Sequence, residues 1–235
     1  MIQLLCQGGR FRIFPPAFIF VHLSAVLTSI GRMNPDIKNI VFDFGGVLID
    51  WNPRYLYRKV FNDDASMERF LKEICNGEWN EKQDGGRPFS EGIDELIKIF
   101  PEEAEKITLY FNRWEEMVGG EIKGTPEVFY ELKSLGFALY GLTNWSGETF
   151  PKVKYQFRFL NEFDGIVVSG DEKLLKPDPA IFNLLLNRYD LIPGETLFID
   201  DNPVNVETAN RLGLEAIRFE SAEQLRNNLR ERRIL

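Results

Sequence analysis

Ile40-Val41-Phe42 is a short, uniformly apolar run that delivers a carboxylate, Asp43, and then Phe44-Gly45-Gly46-Val47-Leu48. An unbroken apolar run of this length predicts a strand over 38–44, buried on both faces as in a parallel sheet. Past Asp50 the period changes. Tyr55, Leu56, Lys59 and Val60 recur at helical spacing, followed by Met67, Phe70, Leu71 and Ile74. From Gly77 through Trp79, Asn80, Asp84, Gly85-Gly86 and Arg87 to Pro88 the chain is polar and rich in glycine, which predicts a loop. Ser90 is placed to cap a third helix bearing Ile93, Leu96, Ile97 and Phe100. Residues 102–118 predict a fourth, with Ile107, Tyr110, Phe111 and Trp114 on one side and Gly119-Gly120 and Gly124 at its end. Residues 51–124 therefore predict helices and no strand.

From Thr125 the chain alternates as βαβ units do. Thr125-Pro126 reads as an N-cap followed by proline in the first turn, and that helix ends at Gly136. Residues 137–144 predict the second core strand, 148–160 a helix and 165–169 a third strand. Asp178 is placed to cap a helix after Lys176-Pro177-Asp178-Pro179. Residues 196–199 predict a fourth strand that runs into Asp200-Asp201-Asn202-Pro203, and 216–219 a fifth. Ser221 and Gln224 have the spacing of a capping box for the last helix. The pattern defines an α/β protein: a parallel sheet interrupted after its first strand by a helical insert. An insert at that point lies over the C-terminal edge of the sheet, where a cap over an active site belongs.

Composition narrows the chemistry. At 235 residues with 44% hydrophobic and 27% charged residues, the chain has material for a substantial core. A formal charge of -8 opposes nucleic-acid binding, which needs a basic face. Arg226, Arg230, Arg232 and Arg233 alternate with Glu223 and Glu231 and read as a solvated helix face. Cys6 and Cys75 have no metal or disulfide spacing, so a reducing cytoplasm is the default compartment. His22, the sole histidine, lies far from every polar cluster, which leaves no imidazole for a catalytic triad or a zinc site. Four groups fall at the ends of strands or in the loops that follow: Asp43, Thr143-Asn144, Lys176 and Asp200-Asp201. Carboxylates aimed at one crevice repel unless a cation or a proton neutralises them. Without His or Cys, an oxygen-bound Mg²⁺ is the natural partner.

These residues carry a resemblance. Asp43-Phe44-Gly45-Gly46-Val47-Leu48, Leu142-Thr143-Asn144, Lys176-Pro177-Asp178-Pro179 and Phe198-Ile199-Asp200-Asp201-Asn202 resemble, in order, the four motifs of the haloacid dehalogenase-like (HAD) hydrolase superfamily. The resemblance implies a Rossmann-like core formed by residues 33–50 and 125–235, with residues 51–124 as a helical cap of the C1 type. It also implies a phosphatase that acts on a small phosphorylated metabolite, sugar phosphates included. Asp43 would attack phosphorus, and water would hydrolyse the aspartyl-phosphate. Lys176 would neutralise charge, while Thr143, the Asn144 backbone and Gly46 would hold phosphoryl oxygens. Mg²⁺ would be held by the Asp43 carboxylate, the Gly45 carbonyl and Asp201, with Asp200 as a ligand or a neighbour of the ligands. Trp79, Asp84 and Arg87 would supply specificity from the cap.

One departure matters. Most phosphatases that this chain resembles place an acid two residues after the nucleophile, to protonate the leaving oxygen. Here that residue is Gly45. General acid catalysis is worth typically about 10²–10⁴-fold, so slow turnover or a good leaving group is expected. Asp84 is a stand-in for the missing acid, set against the commoner reading of an exposed loop carboxylate. The alternatives are a metal-free 2-haloacid dehalogenase, disfavoured by the adjacent Asp200 and Asp201, and a weakened domain that only binds.

Residues 1–32 fall outside the resemblance. Arg10 and Arg12 precede an uncharged run over 13–30 that is broken by Pro15-Pro16. An upstream start-site artefact or a disordered extension is preferred over a signal or anchor segment. No stable membrane association is expected, and the protein is expected to be a monomer or a homodimer.

Overall fold

The computed structural model describes residues 36–235. The readings of residues 1–32, with His22 and Cys6, lie outside the described residues. β1 (Asn39–Phe42) is the centre of a five-stranded parallel sheet. It is followed by β2 (Ile49–Trp51) and four helices: α1 (Arg54–Tyr57), α2 (Asp64–Glu73), α3 (Gly77–Asp84) and α4 (Phe89–Ile99). α5 (Ala104–Asn112) and β3 (Val118–Glu121) complete the insert. α6 (Thr125–Ser134), β4 (Ala138–Thr143), α7 (Phe150–Lys154), β5 (Gly165–Val168) and the single turn α8 (Ser169–Glu172) return the chain to the sheet. α9 (Pro179–Arg188), β6 (Thr196–Asp200), α10 (Pro203–Arg211), β7 (Glu215–Arg218) and α11 (Ala222–Glu231) finish it.

The strand order is β5-β4-β1-β6-β7 with every pairing parallel, so the C-terminal ends of β1, β4 and β6 share one edge. Successive side chains point to opposite faces, and each face is covered. Ile40, Phe42, Leu139, Leu197 and Ile199 pack with Val128, Phe129 and Leu132 of α6 and Leu225 and Leu229 of α11. Val41, Leu142, Val167 and Phe198 pack with Ile181, Phe182 and Leu185 of α9. This double covering is why the core strands read as continuous apolar runs rather than alternating ones. Asp178 accepts from the Ala180 N–H at 2.8 Å, and Ser221 accepts from Gln224 N–H at 3.1 Å, as their spacing predicts.

The insert departs from its predicted form in four places. Residues 77–84 are a helix, not a loop: the Asn76 side chain accepts from Trp79 N–H at 2.8 Å, which offsets the glycine at its first position. Residues 118–121 are a strand that pairs antiparallel with β2, so the insert is entered and left through a two-stranded ribbon. The fourth helix is broken, with α5 ending at Asn112 and a 3₁₀ turn over Trp114–Met117. Ser90 lies inside α4. The first-turn amide of Phe89 is instead satisfied by the Glu148 carboxylate at 2.7 Å, from the segment after β4. In the core, the helix expected over 148–160 is reduced to α7 and a 3₁₀ turn. No helix among the described residues is long and apolar enough to cross a membrane.

Candidate active site

Three parallel strands deliver the polar groups to one edge. Asp43 follows β1, its N–H donating to Ile199 O at 2.9 Å, while its Oδ1 accepts from Phe44 N–H at 2.7 Å. Asp200 ends β6 and is fully buried. Between them lies the Lys176 ammonium, also buried, which donates to Asp200 Oδ2 at 2.7 Å and Leu142 O at 2.8 Å and lies 2.9 Å from Asp43 Oδ1. An ammonium has three protons, and three acceptors surround it here.

Lys176 is itself positioned by Asn144, whose Nδ2 donates to Lys176 O at 2.9 Å and whose Oδ1 accepts from Lys176 N–H at 2.8 Å. The Asn144 side chain is thus committed to the lysine backbone. Asp200 is held equally firmly: it accepts from Asn202 N–H at 2.8 Å and from Asn205 Nδ2 at 3.0 and 3.1 Å. Asn205 was not legible as a site residue, because its role exists only once the first turn of α10 folds back over the end of β6.

Asp201 sits beside this cluster, and Gly46 makes room for it. Gly46 has φ of +77°, and a Cβ there would lie 2.5 Å from Asp201 Oδ2. Asp43, Asp200 and Asp201 can each offer an oxygen such that all three lie within 4.8 Å of one another. An all-carboxylate donor set of this kind fits a hard divalent cation, Mg²⁺ or Ca²⁺. The acids carry the electrostatic cost of that convergence. Burial pushes Asp43 up to about 7; Lys176 opposes the shift, and Asp200 and Asp201 reinforce it. Burial also raises Asp201, with Asp200 adding to the effect. For Lys176, burial works downward, but Asp43 and Asp200 together outweigh it and the net shift is upward.

Beside the cluster is a pocket of about 130 Å³ lined by Gly45, Trp51, Asn80, Asp84, Trp114, Asn144 and Trp145. A Cβ at Gly45 would meet nothing within 4 Å, so the space in front of that residue is open. Asp84, at the end of α3, reaches this pocket. Its carbonyl accepts from Ser169 Oγ at 2.5 Å, and its Oδ2 accepts from Asn80 Nδ2 at 2.8 Å. Burial pushes its carboxyl up to about 8, opposed by the Ser146 backbone N–H and supported by Glu81.

The other two residues singled out from the insert point elsewhere. Trp79 is buried, donating from Nε1 to Gly92 O at 3.0 Å and packing edge-on against Tyr110. Arg87 pairs with Glu95 and donates to Gln83 Oε1 at 2.6 Å. Trp51, Trp114 and Trp145 wall the pocket instead. They come from the ribbon, a 3₁₀ turn and the loop after β4, and no sequence periodicity connects them.

A parallel sheet with polar groups gathered at its C-terminal edge is an α/β scaffold with its site where open sheets bind ligands. The family model described as haloacid dehalogenase-like hydrolase matches residues 37–213, and the chain belongs to that family. It is similar to the sesquiterpene phosphatase astK of Aspergillus oryzae, 28% identical over 75% of this chain and 87% of that protein. It is also similar to the D-ribitol-5-phosphate phosphatase of Bacteroides thetaiotaomicron, 26% identical over 82% of this chain and 97% of that one. Among solved structures, a HAD family enzyme of Bacteroides thetaiotaomicron in a magnesium complex superposes with a TM-score of 0.66. It is 21% identical and covers 83% of this chain and 99% of that chain.

Proposed function

We propose that this chain is a phosphatase that hydrolyses a small phosphate monoester through an aspartyl-phosphate on Asp43. The observation that carries the reading is the buried Asp43–Lys176–Asp200 cluster at the sheet edge, with Asp201 alongside. Phosphoryl transfer needs positioning and neutralisation of negative oxygens more than it needs proton relays. Asp43 supplies the attacking oxygen, and Lys176 supplies the fixed positive charge. Thr143, the Asn144 backbone and Gly46 hold phosphoryl oxygens. The Asn144 side chain serves differently, keeping Lys176 in place. Asp43, Asp201, Asp200 and the Gly45 carbonyl would hold Mg²⁺, which when bound neutralises charge on the phosphoryl group and on the acids. Residues 51–124 act as a cap over residues 33–50 and 125–235. Two relatives named as phosphatases of a polyol phosphate and of a terpenoid support this reaction class.

Adjacent acids also argue against a metal-free dehalogenase, because an anionic substrate would meet Asp200 and Asp201 with only Lys176 in compensation. The test is a panel of phosphate monoesters, polyol and sugar phosphates included, assayed with Mg²⁺ and then with chelator. Phosphate release that chelator abolishes and Asp43→Asn eliminates is expected. Chloride release from 2-haloacids that survives chelator would replace this reading.

A further inference from the structure

We propose that Asp84, supplied by the insert, donates the proton to the leaving oxygen in place of the carboxyl that Gly45 lacks; the assignment rests on the phosphatase reading. Gly45 and Asp84 line the same pocket, and the space a side chain at Gly45 would fill is empty. Asp84 is held through its backbone and through its side chain. Ser169 Oγ fixes the Asp84 carbonyl, and Ser169 in turn accepts from Trp145 N–H at 2.8 Å, tying the acid to the loop after β4. Asn80 Nδ2 engages one carboxyl oxygen at 2.8 Å.

The pocket is also built for a partner. Asn80 Oδ1 and Trp51 Nε1, an acceptor and a donor, are buried there with no hydrogen-bond partner among the described residues. A hydroxylated leaving group would satisfy both, against the wall formed by the contacting indoles of Trp114 and Trp145. The titratable groups acting with Asp84 are Glu81 on its own helix and Tyr110 on α5, and the Ser146 N–H faces it from the loop after β4. Burial and Glu81 favour the neutral acid, which is the form a proton donor needs.

The step balances without a further reagent. As the Asp43 oxygen bonds to phosphorus, the bond from phosphorus to the leaving oxygen breaks. The Asp84 proton passes to that oxygen, releasing an alcohol and leaving a carboxylate. In the second half the carboxylate takes a proton from the attacking water. The phosphorus–Asp43 bond then breaks, releasing phosphate and restoring both acids.

The experiment compares an alkyl phosphate, whose leaving group needs a proton, with 2,4-dinitrophenyl phosphate, whose leaving group does not. In Asp84→Asn, kcat/KM for the alkyl ester is expected to fall by about 10²–10⁴-fold, while kcat/KM for the dinitrophenyl ester, which reports only the step that releases the leaving group, stays within a few-fold of wild type. The alkaline fall in the wild-type pH profile should disappear for the activated ester. In wild type alone, kcat/KM across a series of esters should depend only weakly on leaving-group pKa; a steep dependence overturns the assignment whether or not the variant folds. Equal loss of kcat/KM on both esters overturns it too. A wild type inert to every ester overturns the phosphatase reading and this assignment together, whereas an active enzyme that fails the comparison removes Asp84 alone.

Discussion

Lys176 and Gly46 do the most to hold the cluster together. Lys176 offsets two buried carboxylates and a carbonyl, so its loss would leave charges uncompensated in a protein interior, a defect that typically costs about 3–5 kcal/mol. Gly46 works by having no side chain. Its positive φ disfavours any L-residue, and a Cβ would collide with Asp201. Gly46→Ala is therefore expected to displace Asp201, lower stability by about 1–2 kcal/mol and, on the Mg²⁺ site proposed above, weaken Mg²⁺ binding by about tenfold or more, read by isothermal titration and thermal melting. Unchanged Mg²⁺ affinity would show that Asp201 is not a ligand. The convergence of Asp43, Asp200 and Asp201 was legible because these acids end or directly follow strands, and Lys176 joins them from the loop between α8 and α9. Asn205 and the three pocket tryptophans were not, since they acquire meaning only through tertiary convergence.

At the scale of elements, the region from Thr125 onward was readable because its central strands are buried on both faces and α9, α10 and α11 start at the side-chain caps Asp178, Asn202 and Ser221. By contrast, α6 is capped at Gly124 and not by Thr125 as expected. The insert was harder for two physical reasons. α3 buries only Trp79 and Gln83 and so has little apolar periodicity; its start is set by a side-chain cap at Asn76. The β2–β3 ribbon pairs residues about seventy apart, and two glycines in β3 mask its strand character. Contacts between distant segments also decide how the insert meets the sheet. Glu148 caps α4 through Phe89 N–H, and Lys152 donates to Phe111 O at 3.1 Å. Glu148→Ala should leave the first turn of α4 unsatisfied at a cost of about 1 kcal/mol. Hydrogen exchange would register faster opening of that turn, with β1 and β6 unaffected. Uniform protection would show that solvent replaces the cap without loss.

At the scale of the whole molecule, the site stores charge that folding must accommodate, and this makes stability depend on pH. Asp84 is raised to about 8 in the folded protein, whereas in an unfolded chain an aspartate titrates near 3.8. Between those values the native state holds a proton that the unfolded state has released. Stability from this residue is therefore greatest in acid and falls as pH rises, by at most about 1.4 kcal/mol per unit, until the native carboxyl also ionises. Asp43 is shifted in the same direction, to about 7, so the wild-type curve alone would not separate the two. The difference between wild type and Asp84→Asn does, because Asp43 is common to both. Denaturant melts at several pH values should show the variant gaining on wild type from pH 5 to pH 8, with the difference levelling off above that. Parallel curves would mean that the insert leaves Asp84 ionised in the folded state. Its place in the lining of the tryptophan-walled pocket would then confer no proton for the leaving group to take.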